Sequence, residues 1–341
     1  MTEKKLGERE IIEIIFSKLD KTSRMSVPFG DDVSAIKLGN NLIAVLKTDM
    51  LVAETDVPPK MSFWQASRKA IVMNISDFAA KGVKPTAILV SLGLPRKLAR
   101  ENVIKQIAEG LNAGAREYDT YILGGDTNEA CDLIIACMLY GVAEENRIVS
   151  RSGAKPGDYV AVTGLFGKTS AGLKILLQNL KTPKQIEKRL VNSVLMPKAR
   201  LKEGLALAET GAVTASIDSS DGLAWSLHEI AKASKVGFEI DKVPMAPEAE
   251  KFAKIHNLDP MELCFYGGEE YELVVTIKPK LWSKAQKAVE KTGGKLFKIG
   301  KVIRERTIRL KIEDKTIPID CLLYTSPSPR DLSTSRMPSS A

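Results

Sequence analysis

The sequence predicts a two-domain α/β protein, and three observations carry that expectation. Short apolar runs alternate with amphipathic segments along the whole chain. With 341 residues, 44% hydrophobic and 27% charged, the composition is globular and the length suits two cores. A polar stretch rich in Gly and Pro, SRSGAKPGD at 150–158, divides the chain, so 1–150 and 151–321 read as the two domains.

In the first half, 8–20 reads as an amphipathic helix with Ile11, Ile12, Ile15, Phe16 and Leu19 on one face. A turn-rich segment at 23–32 leads to a short apolar strand at 42–46 that runs on to Asp49. Ser62 caps a long helix over 62–81, which Gly82 and Pro85 close. A strand at 87–92 precedes a helix over 98–116 that Gly110 and Gly114 interrupt. Strands at 121–123 and 132–142 flank the turn GGDTNEA. In the second half, a strand at 159–163, a helix at 169–179, a charged helical stretch at 183–190 and a helix at 199–209 follow in order. Next come a strand at 213–217, the loop DSSDG, a helix at 223–234, and strands at 236–240, 271–277, 296–302 and 307–312. The last twenty residues, 322–341, are Ser/Pro-rich and almost free of aliphatic side chains, a composition that predicts disorder.

Composition removes several function classes. Four cysteines without CxxC spacing and two histidines, His228 and His256, cannot assemble a zinc site. Any metal is then hard and oxygen-bound, Mg²⁺ or similar. No run of about 20 apolar residues exists to span a bilayer. The charged N-terminus lacks a signal-peptide core, so a cytoplasmic, reducing setting is expected. The net charge of +8 raises nucleic-acid binding. However, lysines such as Lys174, Lys181, Lys184 and Lys188 fall at helical spacing, and no aromatic-basic cluster appears. A solvated basic surface is the better reading, and it suits phosphorylated small molecules.

The informative feature is a set of aspartates set just after apolar runs: Asp31 and Asp32, Asp49, Asp126, Asp218 and Asp221, with Asp77 on a helix. Loops at the carboxyl ends of strands are where α/β folds gather ligands. Singly, such residues also serve as turn braces and helix caps; Asp221 before Gly222 fits a cap, and Asp126 fits a turn. Together, beside glycines that admit a ligand to the backbone, they point to phosphoryl transfer, in which several Mg²⁺ ions need several carboxylates. No P-loop and no GxGxxG follow a strand. TGLFGKTSAGL (163–173) stays open between a phosphate-binding helix start and a plain turn. GGEEYEL (267–273), by itself, reads as a charged hairpin turn.

The ordered series GDDVSAI, TDMLV, NISDFAAKG, ILGGDT, SRSGAKPGD, SIDSSDGL and GGEEYEL, spread between residues 8 and 312, resembles the thiamine-monophosphate kinases. These belong with aminoimidazole ribonucleotide synthetase, selenophosphate synthetase and a hydrogenase-maturation protein. The resemblance implies a homodimer whose N-terminal sheets pair into a shared barrel, with C-terminal α/β domains outside. It implies direct transfer from ATP to thiamine monophosphate, with several Mg²⁺ and no phosphoenzyme. Carried over by motif, the Mg²⁺ ligands are Asp32, Thr48, Asp49, Asp77, Asp126, Asp218 and Asp221, with Asp126 and Asp221 central to catalysis. Gly125, Arg151 and Ser220 match ATP-contacting positions, and Glu269 matches a contact to the thiamine substrate. Lys47 stands where some relatives carry Ser, Asp56 where bacterial members carry a substrate-contacting His, and the family's aromatic C-terminal segment is replaced by the Ser/Pro-rich tail. Two other readings stay in play: another ATP-using synthetase of the superfamily, or a catalytically impaired nucleotide-binding protein. A selenophosphate synthetase is disfavoured because the first cysteine is Cys131.

Overall fold

The computed structural model describes residues 6–20, 22–313 and 315–321, so the expectation of disorder over 322–341 lies outside the described residues. The first half contains α1 (Glu8–Lys18), β1 (Met25–Val27), β2 (Ser34–Gly39), β3 (Leu42–Val52), α2 (Ala53–Asp56), α3 (Phe63–Lys81), β4 (Pro85–Leu94), α4 (Glu101–Glu117), β5 (Ile122–Glu129) and β6 (Ile134–Glu144). Its six strands form one sheet in the order β1-β2-β3-β6-β4-β5. Neighbours are antiparallel except β4 and β5.

The second half contains β7 (Tyr159–Val162), α5 (Lys168–Gln178), α6 (Lys184–Leu195), α7 (Leu201–Glu209), β8 (Val213–Asp218), α8 (Leu223–Ser234), β9 (Gly237–Ile240), α9 (Pro247–His256), α10 (Pro260–Phe265), β10 (Leu273–Ile277), α11 (Trp282–Lys291), β11 (Phe297–Ile303), β12 (Ile308–Ile312) and β13 (Lys315–Pro318). Its sheet runs β13-β12-β9-β11-β7-β10-β8. The result is a mixed α/β fold with two sheets. No helix among the described residues is long and apolar enough to cross a membrane.

Helix α3 positions the site. The Ser62 hydroxyl accepts from the Gln65 N–H, and the Gln65 side chain accepts from the Ser62 N–H, so both ends of a capping box are satisfied. Gly82 ends the helix in the left-handed conformation. Between these caps the sequence has no sustained polar face, and the helix is buried from Ala66 almost without interruption. It packs on β3 and β6 of the first sheet, on α4, and on α7 and β8 of the second half. Charged residues on such a helix have no water to face, so they must meet partners inside.

Three sequence expectations change. Helix α4 is continuous through Gly110 and Gly114. A Cβ at Gly110 would lie 2.1 Å from the Trp64 carbonyl oxygen, and one at Gly114 2.9 Å from Ile71 Cβ, so these glycines let α3 and α4 approach rather than breaking a helix. GGDTNEA is mostly strand: Ser91 pairs with Asp126 and Leu94 with Glu129 along parallel β4 and β5. As an edge strand, β5 has no buried face to impose alternation. Strands β1, β2 and β13 and helices α9, α10 and α11 were not separated from the surrounding turns by periodicity.

Candidate active site

Three elements deliver carboxylates to one buried point. Asp32 lies in the loop before β2, Asp77 on α3, and Asp218 at the end of β8. One oxygen of each lies within 4.8 Å of the others, and all three residues are buried. The loop before β2 is braced by the Asp32 N–H donating to Asp31 Oδ1 at 2.8 Å. Asp218 accepts a 2.7 Å hydrogen bond from the Ser76 hydroxyl, one residue before Asp77 on α3.

Such a cluster is electrostatically tense. Burial, with Asp218, Asp49 and Asp32 nearby, pushes the Asp77 carboxyl well above its ordinary range despite the opposing charge of Lys47. Burial and the Asp32 charge push Asp218 up to about 7. Three basic side chains hold the cluster together. Lys81, fully buried, stands 2.5 Å from Asp31 Oδ1 and 2.7 Å from Asp32 Oδ2, and donates to the Ser216 carbonyl at 2.9 Å. Arg151 donates Nε–H to Asp32 Oδ1 at 2.6 Å, makes a second, shorter bond to the same oxygen, and reaches the Gly30 carbonyl at 2.9 Å and Glu229 at 3.2 Å. Lys47, on the inner face of β3, stands 3.1 Å from Asp77 Oδ2 and 3.4 Å from Asp49 Oδ2.

A second group forms where DSSDG meets GGEEYEL. The Glu269 N–H donates to the Ser220 carbonyl at 2.6 Å, and the Tyr271 N–H to the Ser219 carbonyl at 3.0 Å. Glu269 and Tyr271 both have positive φ, 63° and 52°, which costs a side-chain-bearing residue on the order of 1–2 kcal/mol. The segment is therefore no hairpin turn; it is an irregular stretch clamped against the DSSDG loop. Fully buried Lys69 stands 2.5 Å from Glu269 Oε1 and donates to the Asp56 carbonyl oxygen at 2.8 Å. Asp56 and Glu269 are thus brought together around Lys69. The Asp56 carboxylate itself accepts from the Val52 N–H at 2.8 Å and the Thr55 hydroxyl at 3.1 Å, turned back on its own segment. Ser220 and Asp221 are exposed on the loop, their side chains 3.3 Å apart.

Thr48, Gly125 and Asp126 stand apart from the buried cluster. Alternation along β3 puts Lys47 and Asp49 on the inner face with Val45 and Leu51, and Thr48 on the outer face with Met50. The register Met50–Ala136–Ser91–Asp126 puts the Asp126 position on that same outer face. At Gly125 a Cβ would fall 1.7 Å from the Val90 carbonyl oxygen, so glycine is required by the strand pairing itself. At the α5 start, the Thr169 N–H donates to buried Glu270, and the Thr169 hydroxyl to the Gly268 carbonyl, so Thr169 is committed within the protein. His228 faces the Ile319 carbonyl and His256 packs on Phe252, so neither is in the cluster.

Sequence reading passed over Lys69 and Lys81. Their signal was available: Lys69, Asp77 and Lys81 recur at multiples of four on a helix with no polar face. It also passed over Glu272, which accepts from the Thr163 hydroxyl and pairs with Arg200 at 2.5 Å.

The donor set suits a hard divalent cation. It is all oxygen, and the Asp32 Oδ2 atom is buried without a hydrogen bond although Lys81 Nζ stands nearby. Burial first, and neighbouring carboxylates second, raise Asp77 and Asp218, and a bound cation would favour their ionised forms.

Residues 30–143 match the model of the AIR synthase related protein N-terminal domain, and 155–313 that of its C-terminal domain. The thiamine-monophosphate kinase of Nitrosopumilus maritimus is 39% identical over 92% of this chain and 96% of its own length. That of Pyrococcus horikoshii is 37% identical over 91% of this chain and 93% of its own length. Among solved structures, AaThiL complexed with AMPPCP and TMP superposes with a TM-score of 0.80 at 27% identity, covering 93% of this chain and 99% of its own. The hydrogenase maturation protein HypE in complex with ATP, 18% identical with a TM-score of 0.68, covers 90% of this chain and 93% of its own, and shares the fold.

Proposed function

The chain belongs to the thiamine-monophosphate kinase family, and from that membership we propose that it carries the γ-phosphoryl group of ATP to thiamine monophosphate. An oxygen of the acceptor phosphate attacks the γ-phosphorus. The bond from that phosphorus to the βγ-bridging oxygen breaks, and ADP leaves with its electron pair. A phosphate monoester has a second pKa of about 6, so the acceptor arrives largely as an oxyanion and requires no general base. A site without histidine is consistent with that chemistry.

The observation that carries the reading is the convergence of Asp32, Asp77 and Asp218. These carboxylates, with Asp49 beside them, would hold Mg²⁺. When bound, Mg²⁺ neutralises phosphate charge and aligns donor with acceptor. Asp32 is oriented by Arg151 and Lys81, and Asp218 by Ser76. Ser220 and Asp221 offer exposed ligands on the adjoining loop for ATP and metal. Arg151 adds positive charge near the phosphates, and Glu269, fixed by Lys69, addresses the acceptor.

We assign Asp126 and Thr48 to a paired form of the molecule. The outer face they share carries Leu42, Met50, Leu89 and Val142, each 40–58% exposed. An apolar sheet face of this kind supports pairing of first-half sheets between two copies, with 1–150 as the dimerising domain and 151–321 outside it. Asp126 and Thr48 then lie at the interface, next to the second copy. ATP-dependent biosynthetic chemistry, and cysteines that form no disulfide among the described residues, suit the cytoplasm.

Purified protein supplied with ATP, Mg²⁺ and thiamine monophosphate should form thiamine diphosphate and ADP in equal amounts, followed by chromatography. ADP release that ignores the acceptor would instead favour another ATP-using reaction of the superfamily.

A further inference from the structure

The carboxylate cluster already contains a cation of its own. Lys47 projects from the inner face of β3 with only 18% of its side chain exposed, and its ammonium lies between Asp77 and Asp49, at 3.1 and 3.4 Å. Among the described residues, the ion pairs to Asp49 and Asp77 are both made by Lys47. Lys81 and Arg151 are committed to the Asp31–Asp32 side, and Lys69 to Glu269. The cluster therefore has two edges with different countercharges: Lys81 and Arg151 at Asp32, and Lys47 alone at Asp49–Asp77.

An ammonium is a compact point charge with three donors, a reasonable match for carboxylate oxygens from two elements. It is also covalently tethered, so it binds without the translational cost that a free ion incurs. A divalent ion at that edge would be repelled by the ammonium twice as strongly as a unit charge at the same distance. Lys47 and a divalent ion therefore compete for the Asp49–Asp77 edge. We propose that Lys47 is a built-in monovalent substitute for one divalent cation: it occupies the Asp49–Asp77 edge, offsets part of its charge, and leaves one divalent ion fewer to be held by Asp32, Asp77, Asp218 and the bound phosphates. The inference rests on the reading of the cluster as a divalent-cation site, and it deepens that reading by setting how many ions the site takes.

The test is a count of bound ions. Mn²⁺, used as the probe, is titrated into wild type, Lys47→Ser and Lys47→Gln in the presence of a non-hydrolysable ATP analogue, with free Mn²⁺ read by electron paramagnetic resonance. Both variants should bind one more Mn²⁺ per chain than wild type, and adding Asp49→Asn to either should return the count to the wild-type number. In chelator, both variants should melt below wild type, and saturating Mn²⁺ should close that gap. The glutamine variant keeps a polar side chain only one atom shorter than that of lysine, so a folding defect in the serine variant leaves the count measurable. Equal counts in all three proteins overturn the inference, including the case where the variants only bind Mn²⁺ more tightly, since Lys47 would then be displaced rather than retained. Absence of Mn²⁺ binding by every protein, wild type included, overturns the divalent-site reading itself and the inference with it.

Discussion

Replacing Lys81 by Met keeps most of the buried stem and removes the charge. The ammonium it deletes is fully buried and lies 2.5 Å from Asp31 Oδ1 and 2.7 Å from Asp32 Oδ2, carboxylates whose side chains are 4% and 0% exposed. It also removes the donor to the Ser216 carbonyl, a bond that ties α3 to β8 two residues before Asp218. Breaking a buried pair by deleting one partner costs about 3–5 kcal/mol, because the remaining charge is left uncompensated. At a urea m-value of about 3 kcal/mol/M, the unfolding midpoint should fall by roughly 1–2 M. Burial acts to raise the Asp31 carboxyl, but Lys81, Ser150 and the Arg151 N–H outweigh it and hold it below the ordinary 3.8. That stabilisation is present above about pH 4 and is lost as pH falls through the depressed value. The Lys81→Met protein should therefore lose part of the acid-linked decline that wild type shows. Combined with Asp31→Asn, the loss should be smaller than the sum of the two single losses by about 1–3 kcal/mol, since one mutation removes the charge the other exposed. Strict additivity, or a loss under about 1 kcal/mol for Lys81→Met, would refute the claim that this lysine holds the loop before β2 in place.

Asp218 sets a second pH window. Burial and Asp32 raise it to about 7 from 3.8, so the folded protein binds its proton more tightly than the unfolded chain, and stability falls as pH rises between those values. In metal-free protein, melting curves of Asp218→Asn should show a flatter decline across pH 4 to about 7 than wild type; parallel curves would contradict the assignment. Asp126→Ala and Asp221→Ala should each lower turnover by ~100-fold or more while circular dichroism stays native, and full activity in a folded double variant removes both from the mechanism. Gly110→Ala places a methyl 2.1 Å from the Trp64 carbonyl oxygen, so it should destabilise by about 1–3 kcal/mol in urea unfolding despite the better helix propensity of Ala; a gain in stability would contradict the close α3–α4 packing.

What the sequence discloses follows from what its signals measure. The caps of α3 are legible because Ser62 and Gly82 act locally; the Gln65 half of the capping box comes from the structure. Asp32 and Asp218 stand out as carboxylates after apolar runs and Asp77 as one on a helix, in a set that also holds Asp31, Asp49, Asp126 and Asp221; within it the fold clusters Asp32, Asp77 and Asp218. The countercharges were harder to see. Lys69 and Lys81 look like solvated residues until the whole surface of α3 is known to be covered, and that depends on α4 and, far along the chain, on α7 and β8. GGDT reads as a turn because Gly-Gly-Asp carries no alternation, whereas pairing with β4 dictates its extended form. The face on which Asp126 and Thr48 lie depends on register across four strands, a property no single segment carries. Asp56 shows the remaining gap: motif position pointed to the acceptor, yet its carboxylate is bonded to Val52 and Thr55, and its carbonyl is what meets Lys69.

The most direct test of the converging carboxylates is a single-turnover quench with Asp77→Asn, an isosteric change at the buried centre of the cluster. With saturating ATP, Mg²⁺ and thiamine monophosphate, the folded variant should make thiamine diphosphate at least ~100-fold more slowly than wild type. A variant that keeps the wild-type rate and its Mg²⁺ dependence would mean that the chemistry happens elsewhere on the molecule.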